Sequence, residues 1–163
     1  MSPSNEDDKN EMGMIKDEIS KAIKTLSFPL NDIQLLEPER NKVIYEQCLN
    51  KFVNSGDIRW WWEDFKDPAF SVSDFERPFD YLEAYIPDLE KHVWFMVEDD
   101  ENDYYPIYDC NPRILTKLIG ECFGFEYYII DKDLNWLLCE NHHSILIGAG
   151  SFQNERGSST VLQ

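Results

Sequence analysis

Three histidines occur in the chain, and two of them stand together in Glu140-Asn141-His142-His143. Here metal or acid–base chemistry would first be sought. Adjacent residues in extended backbone point to opposite sides, so His142 and His143 do not converge easily on one ion. Tetrahedral zinc would need further ligands, from His92 or a cysteine. The plainer expectation is a turn in which one imidazole bonds backbone and the other meets water. Cys139 beside these histidines suggests a nucleophile, but WLLCE is apolar, and a buried thiol is inert. Asp99, Asp100, Glu101, Asn102 and Asp103 suggest calcium by composition. The stretch lacks the ligand spacing and the glycine of an EF-hand loop, and reads as an acidic hairpin tip. Paired carboxylates carry no signal in a chain with 32 acidic residues. No P-loop, GxGxxG, GxSxG or HExxH pattern is present. The expectation is a protein that is not an enzyme, with no catalytic residues, no metal and no cofactor.

A different chemistry recurs along the chain: aromatic residues next to acids. It occurs at Trp62-Glu63-Asp64, Phe79-Asp80-Tyr81, Asp103-Tyr104-Tyr105 and Tyr108-Asp109. Aromatic anchors inside a charged rim build tight protein interfaces, although core packing also explains many such aromatics. The candidate partner-binding residues are Trp62, Glu63, Asp64, Asp99, Asp100, Glu101, Asp103 and Tyr105.

The elements that must position these residues are read from periodicity. The organising stretch is Phe123 to Gly150. Phe125 to Asp131 has strand composition, 132–135 a turn, Trp136 to Cys139 a strand apolar on both faces, 140–144 a polar break, and Ile145 to Ile147 a third strand ended by Gly148 and Gly150. Upstream, Met14 to Leu26 is a helix with Ile15, Ile19, Ala22, Ile23 and Leu26 on one face. Residues 30–37 connect it to a helix from Pro38 to about Val53, with Ile44, Cys48, Leu49 and Phe52 inward. Ile58 to Phe65 reads as a strand, with Trp60 and Trp62 on one face and Trp61 on the other. Residues 67–77 read as loop and Pro78 to Tyr85 as a short helix. His92 to Glu98 and Tyr104 to Tyr108 form a hairpin, Pro106 marking an edge position. Asn111 caps a helix with Pro112 at its first position, carrying Ile114, Leu115, Leu118, Ile119 and Cys122 inward and ended by Gly124. The expected fold is α+β: an antiparallel sheet of about five to six strands, with N-terminal helices and one inserted helix packed on it. Residues 1–150 form a single domain. Residues 151–163 are a polar tail, whose end GSSTVLQ resembles an expression remnant.

Composition bounds the partner. A chain of 163 residues with 42% hydrophobic content can build a core. Its net charge of −17 argues against nucleic acid and against an anionic membrane, and favours a basic protein partner steered by the field. Residues 57–109 hold 16 acids and 4 bases, so this middle third, where Trp and Tyr crowd, dominates the field. The four cysteines form no CxxC pair and read as buried free thiols. No signal peptide and no span-length apolar run are seen, so the expected compartment is the cytoplasm.

At WWWEDF, at Tyr108-Asp109 and above all at FEYYIIDKDLNWLLCENHHSILIGAG, the chain resembles a family of small acidic bacterial proteins. These in turn resemble the immunity proteins of polymorphic-toxin and contact-dependent growth inhibition systems. The resemblance covers roughly residues 57–150. It implies a protein that binds and neutralises a cognate toxin domain. Many such domains are basic nucleases, whose nucleic-acid cleft an acidic inhibitor can occupy. The alternative expectation is a small metal- or metabolite-binding enzyme using the Glu140 to His143 turn.

Overall fold

A computed structural model describes residues 14–56 and 58–152. Among them, α1 (Met14–Leu26) leads to β1 (Ile33–Leu35) and α2 (Pro38–Phe52). A 3-10 turn (Trp61–Asp64), β2 (Pro68–Val72), a second 3-10 turn (Pro78–Tyr81) and α3 (Leu82–Tyr85) follow. The chain continues through β3 (Val93–Val97), β4 (Ile107–Cys110), a 3-10 turn (Pro112–Ile114) and α4 (Leu115–Gly120). It closes with β5 (Tyr127–Asp131), β6 (Trp136–Glu140) and β7 (Leu146–Gly150). The fold is α+β, with one antiparallel sheet of seven strands in the order β1-β4-β3-β5-β6-β7-β2.

The sheet is buried on both faces, which explains the near-continuous apolar runs of β3, β5 and β6. Side chains alternate between two cores. Phe95, Tyr127, Ile129 and Leu138 face a layer built by Ile19 and Ala22 of α1, Leu82 and Tyr85 of α3, and Leu115 and Leu118 of α4. Trp94, Met96, Tyr128, Ile130, Leu137 and Cys139 face Tyr45, Cys48 and Phe52 of α2, together with Trp61. The register holds this alternation in place: Phe95 pairs with Ile129, and Ile129 with Leu138. A slip of one residue would exchange the two cores. Each fully buried large aliphatic side chain contributes roughly 1.5–3 kcal/mol.

Several local expectations hold. Asn111 accepts a 3.0 Å bond from the Arg113 backbone N–H, with Pro112 at the first position. β6 lies inside the sheet, between β5 and β7. Others are corrected. Residues 58–65 do not form a strand. Two strands appear where connections were expected, β1 and β2, and they are the two edges of the sheet. The edge position expected at Pro106 is not one, because β4 lies between β1 and β3; Pro106 precedes its first residue and gives only its carbonyl, to the Val97 N–H at 3.1 Å. α4 stops at Gly120, short of Gly124. Gly148 lies inside β7 and does not end it, whereas Gly150, with φ +88°, is its last residue. A Cβ on Gly148 would come within 2.3 Å of the Phe70 ring, so the glycine lets β2 lay that ring across β7. Phe152, in the stretch expected to be a polar tail, packs on Phe70 and Trp136 with ring centroids 5.1 and 5.6 Å away. Residues 153–163, with the expected remnant, lie outside the described residues. Among those described, no helix is long and apolar enough to cross a membrane.

Candidate functional site

The Trp-rich segment is pulled away from the sheet by the end of α2. Val53 bridges Phe65, the Asn54 N–H donates to Asp64 O at 3.0 Å, and the Lys66 N–H to Phe52 O at 2.7 Å. With its backbone bonds directed there, the segment coils into a 3-10 turn, closed by Glu63 N–H donating to Trp60 O at 3.1 Å. The expected separation of the three indoles survives this change of element. Trp61 is fully buried, 5.2 Å from the Tyr45 ring and 5.4 Å from Tyr128. Trp60 and Trp62 stack on each other outside it, 6.2 Å apart.

The histidine turn reaches the same place. Asn141, itself buried, builds the turn: its Oδ1 accepts from the backbone N–H groups of His143 and Ile145, at 2.9 and 3.1 Å. The two imidazoles do not diverge as the extended-chain reading expects. A tight turn puts their ring centroids 4.1 Å apart. His142 lies 5.2 Å from Trp60 and 5.7 Å from Trp62, and His143 5.9 Å from Trp62. Beneath them is Glu126, 4% exposed and immediately before β5. Its carboxylate accepts from Trp62 Nε1 at 3.3 Å and from the His142 backbone N–H at 2.7 Å, and pairs with His142 Nδ1. A buried carboxylate needs such partners, and these anchor the turn to the indole layer.

The acidic loop joins from the other side through Arg59. The Arg59 guanidinium lies 5.1 Å over the Trp60 ring, with Nε 3.3 Å from Glu98 and Nη2 3.1 Å from Asp100. Burial pushes the Glu98 carboxyl above its usual range; Arg59 opposes this, and Glu126 and Asp100 add to it. The chain of contacts Asp100–Arg59–Trp60–Trp62–His142 therefore makes one surface of the acidic loop, the indoles and the histidine turn.

The eight candidate residues divide. Trp62, Glu63, Asp100, Glu101 and Asp103 are exposed or partly exposed on or beside this surface. Asp64 takes hydrogen bonds from Ser55 and Asn54, which hold its carboxyl below the usual range and close the end of α2. Asp99 is buried, accepting from the Glu101 N–H at 3.1 Å and from Asn102 Nδ2, so it shapes the loop from within. Tyr105 is also buried, its hydroxyl donating to Arg59 O. Asp99 and Tyr105 are therefore corrected from contact residues to supports. Sequence reasoning missed Arg59, Trp60, Glu98 and Glu126. Arg59 and Trp60 adjoin the WWED motif, and that adjacency was the available signal. Glu126 reads as one polar residue inside an apolar strand.

The thiols are poorly suited to nucleophilic work. Cys139 is fully buried, and burial pushes it well above its ordinary value; Cys48 is pushed up to about 12 and the half-buried Cys122 to about 11. His92 is paired with Asp109 at 2.8 Å. Among the described residues, no group of three or more His, Cys, Asp or Glu side chains is placed to hold a metal ion.

A model described as a family of unknown function, DUF6756, matches residues 11–160, and the chain belongs to that family. No curated protein and no solved structure matches it.

Proposed function

We propose that this member of a family of unknown function is a non-enzymatic immunity protein of the cytoplasm. It binds a cognate bacterial toxin domain, basic and of nuclease type, and blocks it. The observation that carries the reading is the joined surface: stacked Trp60 and Trp62, with Glu63, Asp100, Glu101 and Asp103 around them, on a chain of net charge −17. Acids give long-range steering toward a basic partner, and desolvated aromatics give residence time once it is bound. A nuclease cleft, shaped for phosphates, is a natural complement to such a face.

The test is protection from the toxin domains encoded beside the gene. Cells expressing one such domain should survive only when this protein is co-expressed, and the purified pair should lose nuclease activity at a one-to-one ratio. Death with every neighbouring toxin domain would overturn the reading. With a partner in hand, the triple variant Asp100→Lys, Glu101→Lys, Asp103→Lys should slow association about tenfold or more at low salt. Stopped-flow rates unchanged by the variant would remove the acidic loop from the contact.

A further inference from the structure

Nothing in the immunity reading uses the imidazoles of His142 and His143, yet the fold brings them together. In extended backbone the two side chains would point apart. In the turn built by Asn141 their ring centroids lie 4.1 Å apart, with the planes tilted by 50°. Both residues are exposed. His142 Nδ1 is taken by the buried Glu126 carboxylate, which also accepts from Trp62 Nε1 and from the His142 backbone N–H. A carboxylate that only accepts fixes the imidazole as a third donor, so the proton sits on Nδ1 and the free lone pair on Nε2. A buried carboxylate behind an imidazole is the arrangement that orients metal-binding histidines and strengthens them as ligands. The ring nitrogens of His143 have no hydrogen-bond partner among the described residues.

We propose that His142 and His143 form a two-ligand site for a divalent metal ion of the zinc, nickel and copper class. Zinc lies about 2.0–2.1 Å from an imidazole nitrogen, so one ion needs a nitrogen of each ring within about 4 Å of the other. Rings with centroids 4.1 Å apart meet that need with a small rotation of the exposed His143 side chain. The His142 ligand atom is Nε2, and Glu126 is a positioning residue that holds the ring from behind. The oxygen groups of the turn are committed elsewhere: Asn141 Oδ1 closes it, and Glu140 accepts from the Tyr127 hydroxyl at 2.6 Å. The site therefore offers nitrogen, which selects late transition metals over the magnesium and calcium that carboxylates prefer. Two protein ligands are fewer than the three or four of a resident zinc centre, so the ion exchanges and its remaining positions are open to water. The site stands on this geometry whether or not the protein neutralises a toxin.

The experiment titrates zinc chloride into the full chain, 15N-labelled and without a histidine tag, in a large excess of magnesium that occupies the exposed carboxylates. One zinc ion should bind, and imidazole 15N spectra should show a metal-bound nitrogen at His142 Nε2 and another at His143. His142→Ala and His143→Ala should each weaken zinc by more than about tenfold. Glu126→Gln should weaken it by about tenfold and leave His142 as a mixture of tautomers before metal is added. His92→Ala, whose imidazole pairs with Asp109, should leave the affinity unchanged. The His143 ring makes no hydrogen bond among the described residues, so its removal tests the site without disturbing the turn. No zinc bound in magnesium, or zinc affinity that survives the loss of His143, would mean adventitious binding to the acidic surface and would overturn the proposal. An affinity unchanged in Glu126→Gln would overturn the role of Glu126.

Discussion

Asn41 is a buried side chain of α2 that reaches across to the sheet. Its Nδ2 donates to Tyr105 O at 3.0 Å, and its Oδ1 accepts from the Ile107 N–H at 2.7 Å, just where the acidic loop enters β4. Replacement by alanine would remove both of these bonds from buried backbone groups, at a cost of about 2–4 kcal/mol. Urea unfolding should show that loss in Asn41→Ala; a change below about 0.5 kcal/mol would mean that water replaces the amide. Glu140 is a second case, with the opposite sign. Burial pushes its carboxyl above the usual range, and the Tyr127 hydroxyl, donating at 2.6 Å, offsets this in part. The folded chain therefore holds the Glu140 proton to a higher pH than the unfolded chain does, and stability falls as pH rises from the ordinary carboxylate range through the folded value. Glu140→Gln keeps an acceptor for Tyr127 without the charge. It should be more stable than the parent at pH 7, with the advantage shrinking as pH falls toward about 4. A Gln variant less stable at pH 7 would contradict this account.

At the scale of elements, what was legible in the sequence was what local physics decides alone. α1 and α2 follow from 3.6 periodicity, the Asn111 cap from residue type, and the β5–β6–β7 meander from β-rich runs broken by turns. Three elements depend on distant partners and were not legible. β1 is three residues long and exists because Ile33, Gln34 and Leu35 pair with Cys110, Asp109 and Tyr108. β2 carries a proline and a register shift, and its strand character comes from β7. The WWED turn has strand composition, but its backbone is held by the end of α2. The candidate site inherits this limit: its acids and indoles were visible, while Glu126 and Arg59 belong to it only through the fold. Gly148→Ala tests the β2–β7 contact that packing, and not propensity, creates. Phe70 would have to leave the strand it crosses, costing about 1–3 kcal/mol. Hydrogen exchange should quicken first at Phe70 and Val72; uniform quickening across the sheet would show that the contact is not confined to this edge.

Over the whole molecule, a net charge of −17 acts on folding and on binding with opposite signs. Compaction brings the acids of residues 57–109 together, and their repulsion disfavours the folded state. Ion pairs such as Arg77 with Asp80 and Arg113 with Glu90 work the other way, but exposed pairs contribute only about 0–1 kcal/mol each. With 32 acids against 15 Lys and Arg, repulsion dominates. Raising sodium chloride from 10 to 200 mM shortens the screening length from about 30 Å to about 7 Å and should raise Tm by a few degrees. Potassium chloride should do the same, since screening is indifferent to the cation. The same change should slow association with a basic toxin domain, because steering acts through the field that salt removes. Stability and association rate should thus move apart as salt rises. If both fell together, local ion pairs would govern the molecule, and the acidic surface would be a set of separate contacts and not one field.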